Sequence, residues 1–113
     1  MELKIQDREV SGVLVLDCSG RLVFGDESSM LRDKIKVLIG DGTKKFVLNL
    51  KDVSYIDSGG LGTLVGLFTS ARSAGAEIKL AQLSARVNQL LQVTKLLTVF
   101  DVKDTVEAAV ASF

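Results

Sequence analysis

Val53-Ser54-Tyr55-Ile56-Asp57-Ser58-Gly59-Gly60-Leu61-Gly62 decides how the rest of the chain is arranged. Phe46-Val47-Leu48-Asn49-Leu50 runs into it as an apolar strand, and a helix beginning near Ser58 leads out of it. An acidic side chain, a hydroxyl and glycines at 59, 60 and 62 are crowded into that junction. Serine is a favoured helix N-cap, and as a cap Ser58 would contribute about 1 kcal/mol. Glycine in a first helical turn costs roughly 1 kcal/mol relative to alanine. Gly59 and Gly60 therefore imply either a partner backbone that approaches closely or an anion held by free N–H groups. Gly62, Gly66 and Ser70 form a small-residue stripe that would let this helix lie close to a sheet.

The segments on either side follow from periodicity. Leu3 and Ile5 alternate with Lys4 and Gln6 as a half-buried strand. Ser11-Gly12 turns the chain into a second strand, Val13 to Cys18, and so short a turn favours an antiparallel hairpin. The second strand is apolar at both parities, which predicts cover on both faces. After Gly20-Arg21-Leu22-Val23-Phe24-Gly25, a helix capped by Asp26 or Ser28 carries Leu31, Ile35, Leu38 and Ile39, and Gly40-Asp41-Gly42 ends it. A strand from Lys45 to Leu50 precedes the central turn. Beyond the turn, Leu61, Leu64, Val65, Phe68 and Ala71 recur at helical spacing as far as Gly75. Ile78 and Leu80 alternate with Glu77 and Lys79 in a further strand. Ser84 caps a helix with Val87, Leu90 and Leu91, and Val99 to Val102 forms a short last strand. Asp104 and Glu107 resemble a capping box for a helix with Val106, Ala109, Val110 and Phe113. The order predicts one α/β domain over residues 1–113, with a mixed sheet of four or five strands covered by about four helices and a parallel pair across the central crossover.

Composition narrows the function. Of 113 residues, 47% are hydrophobic and 25% charged, the balance of a soluble globular domain. Fourteen Lys and Arg balance 14 Asp and Glu, so no net field draws in nucleic acid or an anionic membrane. The longest uncharged run, Ser58 to Ala71, is shorter than the roughly 20 residues a membrane helix needs. The charged start, Met1-Glu2-Leu3-Lys4, lacks the apolar stretch of a signal peptide, and a cytoplasmic location is expected. Histidine is absent and Cys18 is the sole cysteine, a small core residue by context. That argues against disulfides, against most transition-metal sites, and against a histidine-activated nucleophile. The serine-hydrolase elbow needs glycine where Ile56 stands. The dinucleotide fingerprint needs glycine at Val65. Gly42-Thr43-Lys44 has the wrong order for a phosphate loop. Neither an enzyme nor a cofactor is expected.

Asp57-Ser58-Gly59-Gly60-Leu61-Gly62 resembles the Asp-Ser-(Ser/Thr/Ala)-Gly-Leu-Gly signature of bacterial anti-sigma factor antagonists, of the STAS domain family. Gly20 after the second strand, the Val47 to Tyr55 segment and Leu90-Leu91-Gln92-Val93-Thr94-Lys95-Leu96 extend the similarity over nearly the whole chain. The resemblance implies a non-catalytic binding protein. Its partners would be an anti-sigma factor with serine kinase activity, bound so that a sigma factor is released, and a serine phosphatase. Phosphorylation of Ser58 would end binding. Asp57 would be its acidic neighbour, Gly59, Gly60, Leu61 and Gly62 would shape the docking turn, and Val23 and Asp26 would belong to the partner surface. A phosphate adds roughly −1.5 to −2 charges. At about 5 Å from Asp57 or a partner carboxylate it gives a gross repulsion of a few kcal/mol at an effective dielectric near 20. A loss of ~2.8 kcal/mol weakens binding about 100-fold. Two positions depart from the family pattern. Val23 stands where an acidic residue usually follows Gly-x-Leu, with Asp26 as the compensating group, and Gly59 replaces serine, threonine or alanine. A constitutive interaction module in a signalling or transport complex, with Ser58 merely the helix cap, is the alternative.

Overall fold

A computed structural model describes residues 3–113; Met1 and Glu2, used above against a signal peptide, lie outside the described residues. The chain forms β1 (Lys4–Val10), β2 (Val13–Leu22), α1 (Asp26–Gly40), β3 (Lys45–Ile56), α2 (Ser58–Ser73), β4 (Glu77–Ala81), α3 (Ala85–Val93), β5 (Val102–Lys103) and α4 (Val106–Ala111). The five strands make one sheet in the order β1-β2-β3-β4-β5. The β1–β2 pair is the expected antiparallel hairpin, turned by Ser11 and Gly12, both at positive φ. The β2–β3, β3–β4 and β4–β5 pairs are parallel, so the sheet is mixed as its pattern implied.

Two apolar clusters explain why β2 is apolar at both parities. Leu16, Cys18 and Leu22 join the larger cluster with Leu31 and Ile35 of α1, Leu61, Leu64 and Leu67 of α2, and Val87 and Leu91 of α3. Val13 and Val15 join a smaller one with Val47, Ala81, Val106 and Ala109, which α4 covers. Cys18 is a core residue, and burial pushes its thiol up to about 12. At the end of α2, Gly75 (φ +78) donates to the Arg72 carbonyl and Ala76 to that of Ala71, a left-handed glycine stop that the sequence signalled.

Several boundaries differ from the pattern. β2 continues through Gly20 to Leu22, and β3 runs on through Lys51 and Asp52 to Ile56, since both pair beyond the apolar runs. Asp52 therefore lies within a strand. No side chain caps α1: Gly25 precedes it, Asp26 is its first residue, and the buried Ser28 hydroxyl donates instead to the Val23 carbonyl at 2.6 Å. The last helix is capped by Thr105, which accepts from the Ala108 N–H, because Asp104 lies one residue too early. The short fifth strand starts at Val102, three residues after the expected Val99. Lys79, on the parity expected to face water, is buried, and its ammonium lies 2.6 Å from Asp101 and over the Phe113 ring.

Candidate functional site

β3 leads straight into α2 with a single residue, Asp57, between them. Asp57 is extended (φ −106°, ψ −177°), and its carboxylate accepts from the Gly60 N–H at 2.8 Å, three residues on. The cap of α2 is therefore Asp57 and not Ser58. Both residue types cap well, and the neighbouring chain decides between them. The same carboxylate accepts the Phe24 N–H at 3.1 and 3.2 Å through its two oxygens. One side chain thus fixes the start of α2 and the loop leaving β2. The Gly60 N–H bond holds this carboxyl below the ordinary aspartate range against some desolvation, with the Phe24 N–H assisting.

Close approach accounts for the two first-turn glycines, and the approaching backbone is the chain's own. A β-carbon on Gly60 would collide with the Leu22 carbonyl, whose carbon it would approach to 2.8 Å. A β-carbon on Gly59 would lie 2.5 Å from Phe24 Cβ and 3.0 Å from Phe24 Cα. Gly59 and Phe24 are therefore matched: the space that a side chain at 59 would occupy is filled by the β2–α1 loop. The phenyl of Phe24 is 81% exposed, an unusual position for so large an apolar group, and it sits against Gly59, the residue after Ser58.

The sequence-selected residues fall into three groups. Ser58, Asp26 and Gly62 are exposed; Val23, Asp57 and Gly59 are half-buried; Gly60 and Leu61 are buried, Leu61 in the larger core. Ser58, Asp57, Gly59 and the loop bearing Val23 and Phe24 come together at the C-terminal ends of β2 and β3. The glycine stripe does not face the sheet. Nothing lies within 4 Å of a β-carbon built on Gly62 or Gly66, and both line an open groove of about 550 Å³ between α1 and α2, with Phe24, Arg32, Lys36 and Ser70 on its walls. Sequence reasoning passed over Phe24; the available signal was a lone aromatic in a loop ended by Gly25.

Tyr55 is half-buried and not part of either apolar cluster. The guanidinium carbons of Arg21 and Arg86 each lie 5.2 Å from its ring centroid. Among the described residues no helix is long and apolar enough to cross a membrane.

Fold and turn define a small α/β module that carries an exposed hydroxyl on a turn fixed from two sides. The family model for the STAS domain matches residues 4–109. The anti-sigma-B factor antagonist of Bacillus subtilis (strain 168) is 38% identical over 81 residues, 72% of this chain and 73% of that protein. An anti-sigma factor antagonist from Mycobacterium paratuberculosis superposes with a TM-score of 0.82 at 18% identity, covering 98% of this chain and 93% of that one. The anti-sigma factor antagonist SpoIIAA in its unphosphorylated form gives 0.72 at 20% identity, covering 96% of each chain. At those identities the two structures share the fold with this chain. The chain belongs to the STAS domain family.

Proposed function

We propose that this chain is a cytoplasmic anti-sigma factor antagonist that binds an anti-sigma factor with serine kinase activity and loses that binding when Ser58 is phosphorylated. A serine phosphatase restores the binding form. The B. subtilis relative, named an anti-sigma-B factor antagonist, supports the partner class. The observation that carries the reading is the exposed Ser58 at the first residue of α2, between the two residues that the exposed Phe24 touches, Asp57 and Gly59, on a turn that Asp57 holds from both sides. A kinase needs a hydroxyl it can reach in a fixed position, and a binding surface needs a rigid apolar anchor.

The chemistry requires nothing further of this chain. The kinase transfers the terminal phosphoryl group of ATP to Ser58 Oγ, whose proton leaves, and ADP departs. Asp57 is already ionised at neutral pH, and the Gly60 and Phe24 N–H groups that could have neutralised a new anion are engaged with it. The added phosphate therefore meets an existing negative charge at the contact surface. Partner carboxylates or the lost Phe24 contact complete the release without refolding the domain.

The constitutive alternative rested on Ser58 as the helix cap, a place that Asp57 occupies. Incubation with the cognate kinase and ATP is expected to add one phosphate mass, which Ser58→Ala abolishes with little change in melting temperature. Ser58→Asp is expected to weaken capture of the anti-sigma factor by about 100-fold, the equivalent of ~2.8 kcal/mol. Full binding by Ser58→Asp, together with no phosphate uptake by the wild type, would leave the constitutive module standing.

A further inference from the structure

Arg21, Tyr55 and Arg86 come from β2, β3 and α3, and the fold holds them together deliberately. Arg21 pairs with Tyr55 across β2–β3, immediately after a register shift between Gly20 and Arg21. Such an irregularity re-aims the side chain that follows it. Gly20 sits at φ +107°, and its carbonyl accepts the Ser54 hydroxyl at 3.1 Å, which fixes that shift to β3. The Ser84 hydroxyl donates to the Val53 carbonyl at 2.7 Å while also capping α3, which fixes Arg86 relative to the same strand. Both guanidinium groups stand 5.2 Å from one neutral ring, and among the described residues neither has a carboxylate partner within ion-pair distance. Arginine stacked on an aromatic ring keeps its in-plane N–H donors free. Two such groups around one neutral phenol make a local positive charge that no carboxylate among the described residues balances, and their donors suit an anion.

What lies next to this cluster says what carries the anion. Along α3, Arg86, Gln89, Leu90 and Val93 line a shallow depression of about 210 Å³, and Val93 is 73% exposed. So open a surface, with an exposed apolar residue two helical turns (about 10 Å) beyond the cation, suits a segment of another protein and not a free small ion. Tyr55 is two residues before Asp57 and Arg21 three before Phe24, so the cluster is continuous with the docking turn.

We propose that Arg21, Tyr55, Arg86 and Val93 form a second contact surface for the anti-sigma factor, receiving an extended segment of it in which a carboxylate is followed about three residues later by an apolar residue. This rests on the binding reading above and adds to it a surface that Ser58 phosphorylation does not touch. The carboxylate bonds free N–H donors of this arginine pair, the apolar residue covers Val93, and the tyrosine keeps the arginines oriented. Such a contact combines the residue types that concentrate at protein interfaces.

The test is a binding titration of the full chain against the anti-sigma factor at two salt concentrations. Wild type, Arg86→Gln, the double variant Arg21→Gln/Arg86→Gln, and Val93→Asp are compared, with Arg86→Lys as the charge-retaining control. The double variant is expected to bind about 10- to 100-fold more weakly at low salt and to lose much of the salt dependence. Arg86→Lys is expected to keep most of the affinity, and Val93→Asp to lose at least about fivefold. Circular dichroism melts separate these effects from loss of fold. Wild-type affinity and salt dependence in the folded double variant would overturn the second surface and leave the antagonist reading intact. No binding by the wild type would overturn both.

Discussion

The first turn of α2 and the two turns after it are both rich in glycine, for opposite physical reasons. At Gly59 and Gly60 there is no room: the Phe24 loop and the Leu22 carbonyl occupy the positions of the missing β-carbons. At Gly62 and Gly66 there is only room, and nothing of the chain comes within 4 Å. The first pair joins the end of β2 to the start of α2 and so builds the rigid turn that presents Ser58. The second keeps the wall of the α1–α2 groove low. A glycine-rich helix start is thus not one functional unit: Gly60 is held to glycine by the Leu22 backbone, Gly59 by the position of the Phe24 loop, and the later pair by neither.

Substitution can break that contrast at either end. Gly60→Ala should have the largest effect, since its new methyl group meets backbone that cannot give way. Overpacking of this kind costs at least ~3 kcal/mol, read as a fall of about 10 °C or more in thermal melting. Gly59→Ala should cost less, about 1–2 kcal/mol net, because the Phe24 loop can shift and alanine favours the helix. Next comes Asp57→Asn, about 1 kcal/mol at neutral pH from a weaker cap and loop anchor. Asp57 has a folded-state pKa below its unfolded value. Its contribution is therefore complete above the unfolded value of ~3.9 and is lost as pH falls through the lower folded value. Melts at pH 6 and pH 3 should show the difference between wild type and Asp57→Asn shrinking at the acid end. The smallest change has the reverse sign. Gly62→Ala and Gly66→Ala should each stabilise the chain by up to ~1 kcal/mol, since the methyl group meets nothing and the unfolded chain loses freedom. If Gly66→Ala were as damaging as Gly60→Ala, the contrast would collapse.

How much of this was legible in the sequence depended on whether the deciding contact was local. Period-two and helical spacing located β1 to β4 and the four helices, though not the extent of the short last strand, and parity within β2 foretold its two-sided cover, because a side chain's face is set by its own backbone. The identity of the α2 cap was not legible: Asp57 and Ser58 are adjacent and both competent, and the Phe24 N–H, brought in from another element, settles the choice. The same non-local cause explains the bare backbone at Gly59 and Gly60, expected to face a partner or an anion and found to face the chain itself. The gathering of Arg21 and Arg86 around Tyr55 left no trace in a sequence without basic runs, since the sheet and α3 bring them together. Lys79 looked solvent-facing because its partner Asp101 and the Phe113 ring arrive from later in the chain.

The spatial order of the strands is also their order along the chain, from β1 to β5. During synthesis each strand therefore emerges next to an edge that is already waiting for it. No strand has to be inserted between two earlier ones, and no hydrogen-bonded pair must open to admit a latecomer. The growing edge is always the most recent strand, while the outer edge of β1 is left unpaired by every later one. Ser58 follows β3, the middle strand of that order, and the contacts that hold its turn come from β2, β3, the loop after β2 and the start of α2, with nothing required from the later elements.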